Sequence, residues 1–283
     1  MEGLKGIHIQ STAPFKGRLR EGDRPSCLEI SSMALSALLW RKHCGQIKLY
    51  TDELFSAFLL KNGFDGLWDG GIDTRVVESI SGSVDETVFW SASKLFALRD
   101  SAAPVAMVDH DLFFWKDVRP YLGTDEEVTV LHREYLWDCY VPKNKLGRPP
   151  GYRFNRRWDW KELPCNTAFA FFPDNGFKDM YVDEAIRFMT DNPGKDVTPS
   201  SQMVFCEQRI IAMCAKLNGV PVKTLIDNPF DDSNDLFTHL WGAKARAGRY
   251  RVDMKRIVSA ILTHLKGLDE DYYQRIRELY PDS

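Results

Sequence analysis

The 283-residue chain has almost no net charge, no paired cysteines and no long apolar run. Its 37 Lys+Arg against 40 Asp+Glu leave a formal charge of -3, which gives no electrostatic case for nucleic acid as the main partner. Its six cysteines (27, 44, 139, 165, 206 and 214) form no C-x-x-C pair. That spacing argues against a structural zinc site or a disulfide framework and fits a reducing cytoplasm. The longest apolar block, around Met33 to Trp40, is about half the ~20 residues that a bilayer span needs. The opening stretch has no signal-peptide hydrophobic run. Repeats, low-complexity tracts and a clean Pro/Gly linker are missing too. What is present is 44% hydrophobic residues and 12% aromatics, eight of them Trp, enough apolar area to offset the entropy of ordering one sizeable core.

Hydrophobic periodicity orders the first half as alternating strands and helices. Gly6–Gln10 reads as a strand, Cys27–His43 as a helix stopped by Gly45, Ile47–Tyr50 as a strand and Asp52–Lys61 as a helix. A helix over Val88–Leu98 precedes Pro104–Val108, a continuous apolar run of the kind a doubly covered central strand shows. Such alternation predicts βαβ units and a mostly parallel sheet. The second half is less regular. Strands are expected at Glu127–Leu131, Cys165–Phe172 and Val220–Ile226, and helices near 176–190, 200–217 and 250–266. A loop rich in Arg, Pro and Trp spans Pro142–Lys161.

The most informative segment is Val105-Ala-Met-Val-Asp109-His110-Asp111-Leu-Phe-Phe114. In an extended backbone Asp109 and Asp111 point to one side and His110 to the other. Two carboxylates at the carboxyl end of a central strand can share a hard divalent cation, at the edge where open α/β sheets bind ligands. An acidic turn is the other reading of D-x-D, but apolar runs on both sides make a solvated turn harder to defend.

A buried strand running into D-x-D resembles the GT-A fold glycosyltransferases, and its companions follow in that family's order. Lys94, about fifteen residues upstream, matches a helix position where the retaining, glycogenin-like and lipopolysaccharide galactosyltransferase-like branch carries a donor-contacting basic residue, more usually Arg. Cys165-Asn166-Thr167-Ala168 is similar to the strand whose Asn faces the sugar, with Thr-Ala in place of a small residue and Gly. Glu207-Gln208 interrupts the apolar face of a helix, where an unpaired carboxylate would be costly, and resembles an Asp-Gln pair beside the reacting sugar. His239-Leu-Trp-Gly242-Ala-Lys244 resembles a His-hydrophobic-x-Gly-x-x-Lys signature, one residue shorter.

The resemblance implies a Rossmann-like α/β domain over 1–266, with a nucleotide-sugar half (1–114), an acceptor half (115–266) and a helical tail at 267–283. It implies that Asp109, Asp111 and His239 hold Mn²⁺ or Mg²⁺, and that Ser11, Thr12, Lys94, Asn166, Gly242 and Lys244 contact a nucleoside-diphosphate sugar. Glu207 and Gln208 would serve the reacting centre, with retention expected and a glycan or lipid-linked molecule as acceptor. Tyr50-Thr51-Asp52 is a second wall for the nucleotide. Asp65 and Asp69 are base or ribose contacts or, more commonly for Asp beside Gly, turn residues. The Arg/Trp stretch 148–160 reads either as an acceptor loop or as a loop packing its own Trp residues. Lys244–Arg256, with six basic residues against one acidic, reads as a solvated face or as peripheral contact with the inner membrane face. A non-catalytic sugar-nucleotide binder is the alternative function. A nucleotidyltransferase is disfavoured by the weak Gly/basic character of Ser11–Arg18.

Overall fold

The computed structural model describes residues 3–13, 24–80, 82–194, 199–228, 233–240 and 251–281. In chain order the elements are β1 (Gly6–Gln10), α1 (Cys27–His43), β2 (Ile47–Thr51), α2 (Glu53–Lys61), β3 (Ile72–Asp73), α3 (Arg75–Glu78), α4 (Ala92–Asp100), β4 (Val105–Val108) and β5 (Leu112–Phe114). There follow β6 (Val128–Arg133), β7 (Cys165–Phe172), α5 (Asn175–Met189), α6 (Pro199–Val204), α7 (Ile210–Asn218), β8 (Val222–Thr224), β9 (Phe237–His239), α8 (Arg251–Leu268) and α9 (Glu270–Leu279).

Seven strands form one sheet in the order β3-β2-β1-β4-β7-β6-β8, and β5 pairs with β9 in a separate ribbon. The β3–β2, β2–β1, β1–β4 and β6–β8 pairings are parallel, whereas β7 runs antiparallel to both β4 and β6. The expected α/β class and mostly parallel sheet are therefore what the chain adopts. Central strand β4 explains its own apolar run. Val105 and Met107 enter one core, Ala106 and Val108 the other, so both faces are covered.

Helix α1 begins at a capping box in which Ser26 Oγ accepts the Glu29 N–H and Glu29 Oε2 accepts the Ser26 N–H. It packs against β5 and β2, with α8 and α9 covering it through Val258, Ile261, Leu265 and Ile276. On the opposite face lie α4, α5 and α7.

Three local expectations differ from the structure. The helix expected from Val88 starts at Ala92, because Asp85 closes a turn: its side chain accepts the Thr87 N–H and its carbonyl accepts those of Val88 and Phe89. The helix over 200–217 is broken by a π-helical turn at Phe205–Arg209, where the Tyr181 hydroxyl donates to the Glu207 carbonyl at 2.8 Å. Finally, residues 109–111 are not extended. Leu112 N–H donates to the Asp109 carbonyl, so the D-x-D is a tight turn between β4 and β5. Gly242 and Lys244, with residues 245–250 of the basic stretch, lie outside the described residues.

Beneath the turn sits a buried polar chain. Trp68 Nε1–H donates to His8 Nδ1 at 3.2 Å, which leaves the proton on Nε2, 3.1 Å from Ser36 Oγ; Ser36 in turn donates to the Leu112 carbonyl at 2.7 Å. Burial, and next the neighbouring His110, hold the His8 imidazole well below its ordinary pKa. A protonated ring would set an N–H against the Trp68 donor. The unfolded chain takes up that proton below pH ~6.5 while the folded chain does not, so this stability is intact above that pH and lost as pH falls. Unfolding free energies from urea titrations between pH 7.5 and 5.5 should fall in the native chain, by up to about 1.4 kcal/mol per pH unit for this group. The decline should be shallower by that slope in His8→Gln.

Candidate active site

The topology delivers polar residues to one edge of the sheet. Asp109 follows the carboxyl end of β4, and Glu134 follows the carboxyl end of β6, which runs parallel to β4. Because β7 is antiparallel to both, its amino-terminal Asn166 reaches the same edge, in register with His132. His239 arrives on β9, paired with Leu112, one residue after Asp111. That ribbon does for the two acids what an extended D-x-D would have done. Ligand atoms of Asp109, Asp111 and His239 all lie within 4.8 Å of one another, and His239 Nε2 is 3.8 Å from Asp111 Oδ1. His110 turns inward instead, its Nε2 2.5 Å from the Ile9 carbonyl oxygen.

Lys94 joins this group from the first turn of α4. Its Nζ is 2.6 Å from Asp109 Oδ1 and 2.8 Å from Glu207 Oε1. A cation at a helix N-terminus opposes the macrodipole, so the two carboxylates must hold it there. Burial alone would lower the Lys94 pKa, but Asp109 and Glu207 raise it well above its ordinary value. Glu207 is nearly inaccessible and also accepts from Thr167 Oγ1 at 2.9 Å. The carboxylate that the sequence placed on an apolar face thus has its partner, a lysine. Thr167, beside Asn166, gives Glu207 a second donor.

Gln208, the neighbour of Glu207, accepts a hydrogen bond at Oε1 from the Tyr140 hydroxyl. Burial, and next Glu134, keep that phenol protonated by raising its pKa. Asn166 is committed locally: Oδ1 accepts the Ala168 N–H at 3.0 Å and Nδ2 donates to Glu134 Oε1 at 2.7 Å. His239 has its pKa lowered by burial, despite Asp111, so its imidazole is neutral and offers a lone pair at pH 7.

Two cavities meet at this cluster, sharing Trp90, Lys94, Asp109 and Asp111 as a common wall. One, of about 320 Å³, extends along the end of β1 past Gln10 and Ser11 to Glu29 and Ser32 on α1. The other, of about 350 Å³, reaches Glu134, Trp137, Tyr140, Asn166, Glu207, Gln208 and His239. Ser11 lines the first. Thr12 is held beside it, its N–H donating to Asp52 Oδ2 at 2.5 Å while Asp52 Oδ1 caps α2 through Phe55 N–H. Asp69 is a turn residue, accepting the Ile47 N–H.

Sequence reasoning missed Glu134, Trp137, Tyr140 and Trp90. Glu134 had a signal in hindsight, an acid directly after an apolar strand, but its edge is defined only once β7 reverses direction. The Arg/Trp loop resolves toward packing. Tyr152 and Trp158 are buried, and Trp160 stacks on Phe205 with ring centroids 5.7 Å apart.

No family model matches the chain, and no curated protein does either. Among solved structures it is similar to mouse xyloside xylosyltransferase 1 in its apo form, at 10% identity over 78% of this chain and 84% of that one, with a TM-score of 0.37. It is also similar to the galactosyltransferase LgtC in complex with donor and acceptor sugar analogues, at 11% identity, 83% and 86% coverage and a TM-score of 0.41. A third is the inositol-1-phosphate CTP transferase from T. maritima, at 13% identity, 92% and 97% coverage and a TM-score of 0.41. Likeness at this level carries no argument about chemistry. Among the described residues, no helix is long and apolar enough to cross a membrane.

Removing the lysine tests the cluster. Lys94→Met should cost about 3–5 kcal/mol in urea unfolding, because it strands Glu207 as a buried charge. Adding Glu207→Gln to that variant should recover a large part of the loss. An undiminished loss in the double variant would mean that Lys94 acts by packing and not by pairing.

Proposed function

We propose that the chain is a metal-dependent glycosyltransferase that takes a nucleoside-diphosphate sugar as donor and transfers the sugar, with retention, to a glycan or lipid-linked acceptor. The observation that carries this reading is the convergence of Asp109 and Asp111, on the wall shared by two cavities, with His239 of the second cavity. Two carboxylates and a neutral imidazole form a hard, oxygen-dominated donor set. That set suits Mn²⁺ or Mg²⁺, ions that commonly complete their shell with water and phosphate oxygens. A cation held there supplies Lewis-acid stabilisation of the charge that develops on a leaving diphosphate.

The chain's own groups account for the rest. The cavity along β1 and α1 receives the nucleoside, with Ser11 at its wall. Lys94 places a fixed positive charge where the two cavities join, next to the diphosphate position, and so stabilises the same developing charge. The second cavity takes the sugar. Glu207 lines it as an anion and favours the oxocarbenium-like character of the breaking glycosidic bond. Tyr140 fixes Gln208 by occupying Oε1, which turns its amide N–H groups into the donors available to a sugar hydroxyl. Glu207 Oε1 is already engaged by the Lys94 ammonium and the Thr167 hydroxyl. That engagement supports retention, in which a leaving phosphate oxygen can take the acceptor proton.

Calorimetry with a panel of nucleoside diphosphates tests the reading. One of them should bind roughly ten-fold or more tightly with Mn²⁺ than without it, and Asp111→Asn should abolish that gain. The matching nucleotide sugars should release nucleoside diphosphate in the presence of Mn²⁺. Binding indifferent both to Mn²⁺ and to Asp111→Asn would overturn the metal site. Metal-dependent binding with no turnover of any donor would make the protein a sugar-nucleotide binder.

A further inference from the structure

The aromatic side chains of the 152–160 loop pack among themselves and on Phe188 and Phe205, but a separate group is exposed. Trp90 is 44% exposed, Tyr135 52% and Trp137 45%. Single exposed apolar residues are ordinary on a protein surface. Here, however, Trp90 and Trp137 both line the same cavity, the one that also holds Glu134, Asn166 and Gln208. Trp137 is also fixed in place although it is half exposed. Its Nε1–H donates to Glu134 Oε2 at 3.1 Å, and Tyr135 meets its ring edge-on with centroids 5.6 Å apart. Ordering a large ring in solvent costs conformational entropy that its partial burial offsets only in part. The tether itself is supported, since Glu134 is buried and receives Asn166 Nδ2–H on its other oxygen.

We propose that Trp137, with Trp90 lining the same cavity, is a stacking platform for a saccharide ring of the acceptor, and that Glu134 is the residue that positions it. The chemistry on both sides matches. A pyranose presents an apolar C–H face, which suits the electron-rich face of an indole, and a rim of hydroxyls, which suits carboxylate and amide groups. The cavity offers those two surfaces together. A lipid chain would desolvate the Gln208 amide N–H groups, left available by the Tyr140 hydroxyl on Oε1, without offering them an acceptor. A nucleobase would engage the other cavity, which Trp137 does not line. The acceptor class that follows is a carbohydrate, not a bare lipid.

This inference rests on the glycosyltransferase reading for its purpose, but its test is separate. Saturation-transfer NMR of the whole chain with methyl hexosides and simple disaccharides should reveal at least one binder. Trp137→Ala should weaken that binder roughly ten-fold, and Trp137→Phe, which keeps a ring, should restore most of it. Glu134→Ala should weaken it as well, while Glu134→Gln, which keeps an oxygen for the Trp137 N–H, should rescue binding. Thermal melts of each variant report whether it folds. Saccharide affinity unchanged in a folded Trp137→Ala overturns the platform. So does a loss confined to nucleoside-diphosphate affinity, or to binding of phosphatidylglycerol vesicles. Mn²⁺-dependent nucleotide binding is measured on the same wild-type protein. If it is lost while saccharide binding persists, the metal-enzyme reading fails and the platform stands; the reverse result overturns the platform alone.

Discussion

The arrangement at the strand ends depends on one ammonium group. Lys94 sits between Asp109 and Glu207, and without it two acids would share a poorly solvated space with Asp111 close by. Buried charges are tolerated only when paired and hydrogen-bonded, and this pairing also explains the local backbone. Helix α4 must start late enough to present Lys94 from its first turn, which the Asp85 turn accomplishes. The π-helical turn at Phe205–Arg209 places Glu207 between the Lys94 ammonium and the Thr167 hydroxyl, with its own carbonyl satisfied by Tyr181. A local fault in each helix serves one electrostatic requirement.

Around that pair, the sheet acts as a collector. A purely parallel sheet would bring only carboxyl ends of strands to the site. Reversing β7 alone brings an amino end, and with it Asn166, to the edge occupied by Asp109 and Glu134. The β5–β9 ribbon adds His239 from a segment more than a hundred residues away. Asn166 and His239 are thereby set within strands, and Asp109 and Glu134 directly follow strand ends, so their separation follows from strand spacing and register.

Much of this was legible in the sequence, because the signals were local. The VAMV run gave the doubly covered strand, CNTAFAFF gave β7 with its limits, and a carboxylate on an apolar helix face implied a partner or a wet cleft. Partner identity was another matter. Lys94 was recognised as a candidate donor contact and Glu207 as a catalytic one, yet nothing in either segment says that they touch. Their 2.8 Å contact joins residues 113 apart in sequence. The D-x-D shows the limit best. An extended backbone was expected, whereas the chain turns, because the Asp109 carbonyl accepts the Leu112 N–H and lets β5 leave the main sheet to meet β9. Two-residue periodicity reads side-chain direction correctly only while a strand continues, and no local pattern reveals where pairing partners change.

The same reasoning bears on the aromatic residues. Composition shows that the chain is rich in Trp but cannot separate rings that fill a core from rings that face solvent. The segment richest in Trp and Arg packs its rings on Phe188 and Phe205, where they contribute stability. The more consequential ring, Trp137, stands in a plain stretch, Glu134-Tyr-Leu-Trp-Asp138, whose meaning depends on where β6 ends. Once β6 stops at Arg133, the next residue falls at the binding edge, and an indole three positions later can reach back to its carboxylate. The exposure of that ring is tied to the same strand end that sets the acid. It follows from the fold's geometry and not from a shortage of core to bury it.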